Sequence, residues 1–112
     1  GSLLNFEQMK GTNKLSDDRL MNSLQIYMED PRLNVWHFAL LLAILTLGYK
    51  QRQKQNIKVS RSKIMALSHI NTIPTYHKYF KELQSLGYIE YLPSYHPGVR
   101  SEVNLKVIEV TR

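Results

Sequence analysis

Thr75, His77, Lys78 and Lys81 stand close together in the chain, and they combine two chemistries. The lysine ammonium groups seek phosphate, while the threonine hydroxyl and the imidazole can hydrogen-bond to the edges of nucleobases. A second polar cluster, Ser60-Arg61-Ser62-Lys63, precedes them. If it opens a helix, its free backbone N–H groups and the helix dipole add to the attraction for a phosphate. A third group, Tyr95, His96, Arg100 and Ser101, surrounds Pro97-Gly98. None of these groups has the make-up of a catalytic centre. The four histidines, His37, His69, His77 and His96, are scattered, no pair has the i, i+4 spacing of a helical metal site, and there is no cysteine. The seven tyrosines lack the surrounding arginines and histidines that a tyrosine nucleophile needs to attack a phosphodiester. No enzymatic activity, metal or cofactor is therefore expected.

The elements that position these groups follow from periodicity. Tyr76, Tyr79, Phe80, Leu83 and Leu86 recur at helical spacing. Thr72 is an expected N-cap, Pro74 sits just inside the start, and Gly87 is an expected left-handed stop, so a helix is predicted over about 73–86. Its apolar stripe leaves Thr75, His77, Lys78 and Lys81 on the outer surface. A shorter helix is predicted from Ser60 or Arg61 to about Ser68, with Ile64 and Leu67 facing inward and Ala66 small enough for close helix contact. In the turn from Ser68 to Thr72, Ile70 is the apolar anchor.

Downstream, Tyr88 to Leu92 is rich in β-formers, and Ser101 to Ile108 alternates Val103, Leu105 and Val107 with Glu102, Asn104 and Lys106. Pro93, Pro97 and Gly98 cannot continue a ladder, so a hairpin is expected over about 88–108. Helix, turn, helix, glycine stop and hairpin in that order outline a winged helix-turn-helix. The expected fold is mainly α with a small β-hairpin: a three-helix core plus wing, with an extra N-terminal helix.

The core helix is expected from near Asn34 to between Gly48 and Gln51. Its run from Phe38 to Leu47 is ten residues, short of the roughly 20 that a membrane span requires. Asp17 to Glu29 carries Leu20, Leu24 and Met28 at helical spacing behind Ser16-Asp17-Asp18, and it or a second copy of the chain is expected to cover the core helix. Residues 1–15 are expected to be a flexible arm, with Gly1-Ser2 a cloning scar of a longer natural protein, and 16–112 a winged-helix domain. No basic stretch leading into an apolar run is found at the start, so no signal peptide is expected. Charge is asymmetric. Through Tyr49 there are four Lys/Arg and five Asp/Glu, and from Lys50 onward eleven and four, within a formal net charge of +6. The basic half attracts polyanions through counterion release. It includes the linker Lys50 to Lys58, read as a solvated loop, or, where Ile57 to Val59 adds a third strand beside the wing, as a basic loop near one edge of the nucleic-acid footprint.

The stretch from Asn71 to Gly98 resembles small winged-helix proteins of the Bacteroidetes associated with mobile genetic elements. The similar parts are Thr75-Tyr76-His77-Lys78 at the start of the helix, Gly87-Tyr88-Ile89 followed by Tyr91 at its exit, and Pro93-Ser94 with Pro97 in the wing. Those proteins usually continue with Gly-Ser after the wing proline, whereas Gly98-Val99-Arg100-Ser101 intervenes here. The resemblance implies DNA binding in the transcription, excision or replication of such elements.

Sequence-specific binding of double-stranded DNA is the resulting expectation, as a cytoplasmic, nucleoid-associated regulator, with a second copy of the chain as an expected partner in a homodimer. Ser60, Arg61, Ser62, Lys63, Thr72, Thr75, His77, Lys78, Lys81, Tyr95, His96 and Arg100 are the expected contacts. The alternatives are a protein-interaction module on the same scaffold and the DNA-binding fragment of a replication initiator. Convergence of Arg61, Lys78, Lys81 and Arg100 on one face would favour DNA, because an interaction module has no reason to align them.

Overall fold

The computed structural model describes residues 14–106. The elements run α1 (Lys14–Glu29), α2 (Val35–Gln51), β1 (Ile57–Val59), α3 (Arg61–Ser68), α4 (Ile73–Leu86), β2 (Ile89–Leu92) and β3 (Ser101–Leu105). The fold is mixed helical with one small antiparallel sheet in the order β1-β3-β2. No helix among the described residues is long and apolar enough to cross a membrane. Of the expected arm, Lys14 and Leu15 are helical in α1 and the rest lies outside the described residues, as do the strand residues Val107 and Ile108.

Two compact units divide the chain, Gly1–Arg32 and Leu33–Arg112. In the first, α1 begins at Lys14, so Ser16-Asp17-Asp18 lies inside its first turns rather than capping it. Of the expected apolar stripe, Leu24 is half-buried while Leu20 and Met28 are exposed. The buried residue is Tyr27, whose phenol is pushed up by that burial.

The second unit is built around α2. Asn34 caps it: its Oδ1 accepts the N–H groups of Trp36 and His37 at 2.9 and 3.4 Å, and His37 Nδ1 accepts the Asn34 N–H at 2.9 Å. This is a reciprocal capping box with histidine in the place usually held by Glu or Gln. Because Nδ1 accepts, the ring proton sits on Nε2, which donates to Glu82 Oε1 of α4 at 2.7 Å. A buried imidazole thus ties the start of α2 to the middle of α4. Leu40, Leu41 and Ile44 form the centre of the core, joined by Ile57, Ile64, Leu83 and Val103. At the far end of α2, Gly48 meets the sheet so closely that an added Cβ would lie 2.7 Å from Gln53 O and 2.8 Å from Ile57 Cδ1. The glycine is there for close approach; Arg52, in the left-handed region with φ 56°, ends the helix.

Ile57 to Val59 forms the third strand, pairing Ile57 with Val103 and Val59 with Ser101. Its outer edge is covered by Gln51, whose amide accepts the Lys58 N–H at 2.9 Å and donates to Lys58 O at 2.8 Å, as a neighbouring strand would. Leu105 N donates to Lys54 O, so the basic segment Arg52 to Lys54 sits at the end of the sheet opposite the 93–100 hairpin tip. The expected linker thus divides, Arg52 to Lys54 lying at this end and Lys58 at the other, beside Gly98 to Arg100.

Helices α3 and α4 are joined by a tight turn. His69 takes a left-handed conformation with φ 60°, and Ile70 anchors the turn in the core. Ala66 is exposed, contrary to its expected helix contact; the small side chain buried there belongs to Ser68. Tyr76, Phe80 and Leu83 carry the buried stripe of α4, with Tyr79 and Leu86 half-buried at its margin. Gly87 ends the helix at φ 87°, and Tyr88 N donates back to Leu83 O at 3.0 Å.

Candidate nucleic-acid interface

The antiparallel register sets the geometry of the candidate site. Pairing of Val59 with Ser101 brings the base of the hairpin and the first residues of α3 to the same end of the sheet. At the α3 start, Ser60 Oγ accepts the Lys63 N–H at 3.2 Å and lies 3.5 Å from Ser62 Oγ. The Ser60 hydroxyl therefore works as a cap. Arg61, Ser62 and Lys63 are exposed.

An aromatic column joins α4 to the hairpin. Tyr76 stacks on Phe80 with centroids 5.1 Å apart, and Phe80 meets Tyr91 of β2 edge-on at 5.3 Å. Tyr91 Oη donates to Ser101 Oγ, which also accepts the Ser94 N–H, so Ser101 holds the hairpin base from within. Burial pushes the Tyr76 phenol up to about 12; Tyr91 acts in the same direction and the Arg61 guanidinium in the opposite one. Arg61 is thereby within electrostatic reach of the first turn of α4. His77 lies against the Tyr76 ring, with centroids 5.4 Å apart.

The outer face of α4 splits in two. Successive residues turn by about 100°, so His77 and Lys81 fall toward the flank marked by the Phe80–Tyr91 contact. Thr75 and Tyr79 fall toward α2, where Tyr79 meets His37 edge-on at 5.0 Å and stacks beside Trp36 at 6.1 Å. His77, Lys78 and Lys81 are exposed as expected, whereas Thr75 is half-buried. Lys78 leans toward α2, its Nζ lying 5.2 Å from the Tyr79 ring centroid. Thr72 occupies the N-cap position, but its hydroxyl donates to Thr75 Oγ1 at 2.7 Å and makes no capping bond to the helix backbone. The expected cap is correct in place and wrong in partner.

At the hairpin tip, Tyr95 is 87 % exposed, and His96 and Arg100 are exposed as well. Gly98, at φ 83°, makes the bend, and Val99 N donates to His96 O at 3.2 Å. Lys58 lies beside this tip: with Gly98, Val99, Arg100 and Glu102 it lines a concavity of about 340 Å³. The sequence reading missed Lys58 because it was counted with the basic linker. Its exposed place between buried Ile57 and Val59 was the available signal. Trp36 and Tyr79, which are not among the expected contacts, stand on the α2 side of α4, with Trp36 40 % exposed.

Lys58, Arg100 and the hairpin tip thus lie at one end of the sheet, to which the Val59–Ser101 pairing also brings Arg61, while His77 and Lys81 share the flank of α4 on the side of the Phe80–Tyr91 contact. Of the four cations expected to converge, Lys78 does not join them. Thr75 and Lys78 turn toward Trp36. Among the described residues no three metal-ligating side chains come together. Compared with family models, curated proteins and solved structures, the chain matches none.

Proposed function

We propose that this chain is a winged helix-turn-helix protein that binds double-stranded DNA sequence-specifically, with α4 as the recognition helix and the β2–β3 hairpin, with its 93–100 tip, as the wing. What supports this reading is that Lys58 of β1, Arg61 at the start of α3 and Arg100 of the hairpin tip lie toward the same end of the three-stranded sheet, with Lys81 on the neighbouring flank of α4, although Lys78, the fourth cation of the expected convergence, turns toward Trp36 instead. Packing gives no reason for such alignment, whereas a polyanion does. The tight α3–α4 turn and the exposed polar face of α4 agree with a helix lying in the major groove. The likeness of the α4 and wing residues to mobile-element proteins extends the reading to a cytoplasmic regulator of transcription or excision.

Within this reading His77, near the start of α4, reads base edges, and Lys81, a turn later, holds the phosphate backbone. His77→Ala is expected to erode preference at one or two base pairs, each by about 1–3 kcal/mol, with little change in non-specific affinity. Lys81→Ala is expected to do the reverse. Selection from randomised duplexes tests both, and unchanged preference in both variants would sink the assignment. Exposed Val35, Leu42 and Tyr49 on α2, at spacings of seven, suit a homodimer reading two half-sites about 34 Å apart. Light scattering should then give twice the chain mass for the free protein and two chains per duplex for the complex; one chain in both states would remove the dimer.

A further inference from the structure

On the α2 side of α4, Trp36, Pro74, Thr75, Lys78 and Tyr79 line a shallow depression of about 260 Å³ that duplex recognition by the opposite flank does not use. The Trp36 indole lies nearly parallel to the Tyr79 ring, at an interplanar angle of 20°, and keeps two-fifths of its surface open. Lys78 holds its ammonium group over the same Tyr79 ring. Burial does not account for an open indole beside a cation. Glu82, one turn beyond Lys78, gives Oε1 to the His37 Nε2–H, stays half-exposed and does not line the depression.

We propose that this depression binds an unpaired nucleobase of a single-stranded nucleic acid, with Trp36 as the stacking surface, Tyr79 as its support and Lys78 meeting the adjoining phosphate. A flat π-face with a cation at its rim is what single strands use without regard to sequence. The chemistry favours a nucleic acid over a peptide because none of the five lining residues is acidic and the half of the chain that supplies four of them carries the positive excess. DNA and RNA share base and phosphate, so both fit. The site is separate from the duplex face proposed above and does not depend on it.

Trp36 is the chain's single tryptophan, so its emission reports the site directly. The full chain is titrated with short oligo(dT), oligo(rU) and a blunt duplex, reading Trp36 emission and the anisotropy of labelled strands. Oligo(dT) or oligo(rU) should quench Trp36 saturably, the tighter strand identifying DNA or RNA as the source, while the duplex leaves the emission nearly unchanged. Trp36→Ala should weaken single-strand binding about 5- to 150-fold with duplex affinity retained, and Trp36→Phe should restore most of it. Should Trp36→Ala not fold, Lys78→Gln is expected to weaken single-strand binding about 4-fold at 0.15 M salt. Single-strand binding without quenching, equal quenching by the duplex, or no single-strand binding at all would overturn the proposal, the last leaving a protein as the occupant. Failure of duplex binding alone would instead count against the winged-helix reading.

Discussion

Replacing His37 with alanine is expected to destabilise the protein by about 3 kcal/mol, although the buried residue is itself no expected ligand contact. Three losses combine. The Asn34 N–H loses its acceptor, which undoes one half of the α2 capping box, an effect of about 1 kcal/mol. Glu82 loses the Nε2–H bond between helices, and hydrogen bonds to charged groups contribute about 1.5–3 kcal/mol. The imidazole is 2 % exposed and meets Tyr79 edge-on, so its removal also leaves a cavity. These terms share atoms and will not simply add. His37→Gln can still accept the Asn34 N–H and should recover part of the loss. Glu82→Gln keeps an oxygen acceptor and should lose less than His37→Ala. Urea denaturation with an unchanged m-value checks all three, and a His37→Ala loss below about 0.5 kcal/mol, the range of ordinary surface changes, would refute the tie between α2 and α4.

The triple replacement Arg61→Ala, Lys81→Ala and Arg100→Ala should lower duplex affinity on the order of 10²-fold at 0.15 M salt. Each phosphate contact makes the logarithm of the binding constant fall by about 0.9 per decade of salt, so three lost contacts should also flatten the slope by nearly three. All three side chains are exposed, and folding stability should stay within about 0.5 kcal/mol of the parent. Equal slopes for parent and variant would mean that these charges do not face DNA together. An interaction module on the same scaffold would behave in that way.

The elements were legible in the sequence wherever a local rule decided them. Stripe, proline and glycine bounded α4, and alternation with turn residues marked β2 and β3. Hidden from the sequence were choices made by partners distant in the chain. Thr72 occupies its expected position, yet its hydroxyl prefers Thr75, because two hydroxyls one turn apart can bond each other as well as the backbone. Arg52 and His69 take left-handed caps that a sequence reading would assign to glycine or asparagine. Arg52 to Lys54 of the basic linker looked close to the site because they precede α3, but antiparallel pairing sends them to the far end of the sheet. The same register brings Lys58 to the hairpin tip. Within α4, the outer face was legible as one polar surface, and its division depended on where Trp36 and Tyr91 pack.

The most direct test of duplex recognition is the equilibrium affinity of the parent chain, across a salt series, for the best duplex selected from a random pool and for a scrambled duplex of equal length. The selected duplex should bind at least about 10³-fold more tightly, and affinity for both should fall as salt rises. Equal affinity for the two duplexes, or binding indifferent to salt, would contradict sequence-specific recognition by this protein.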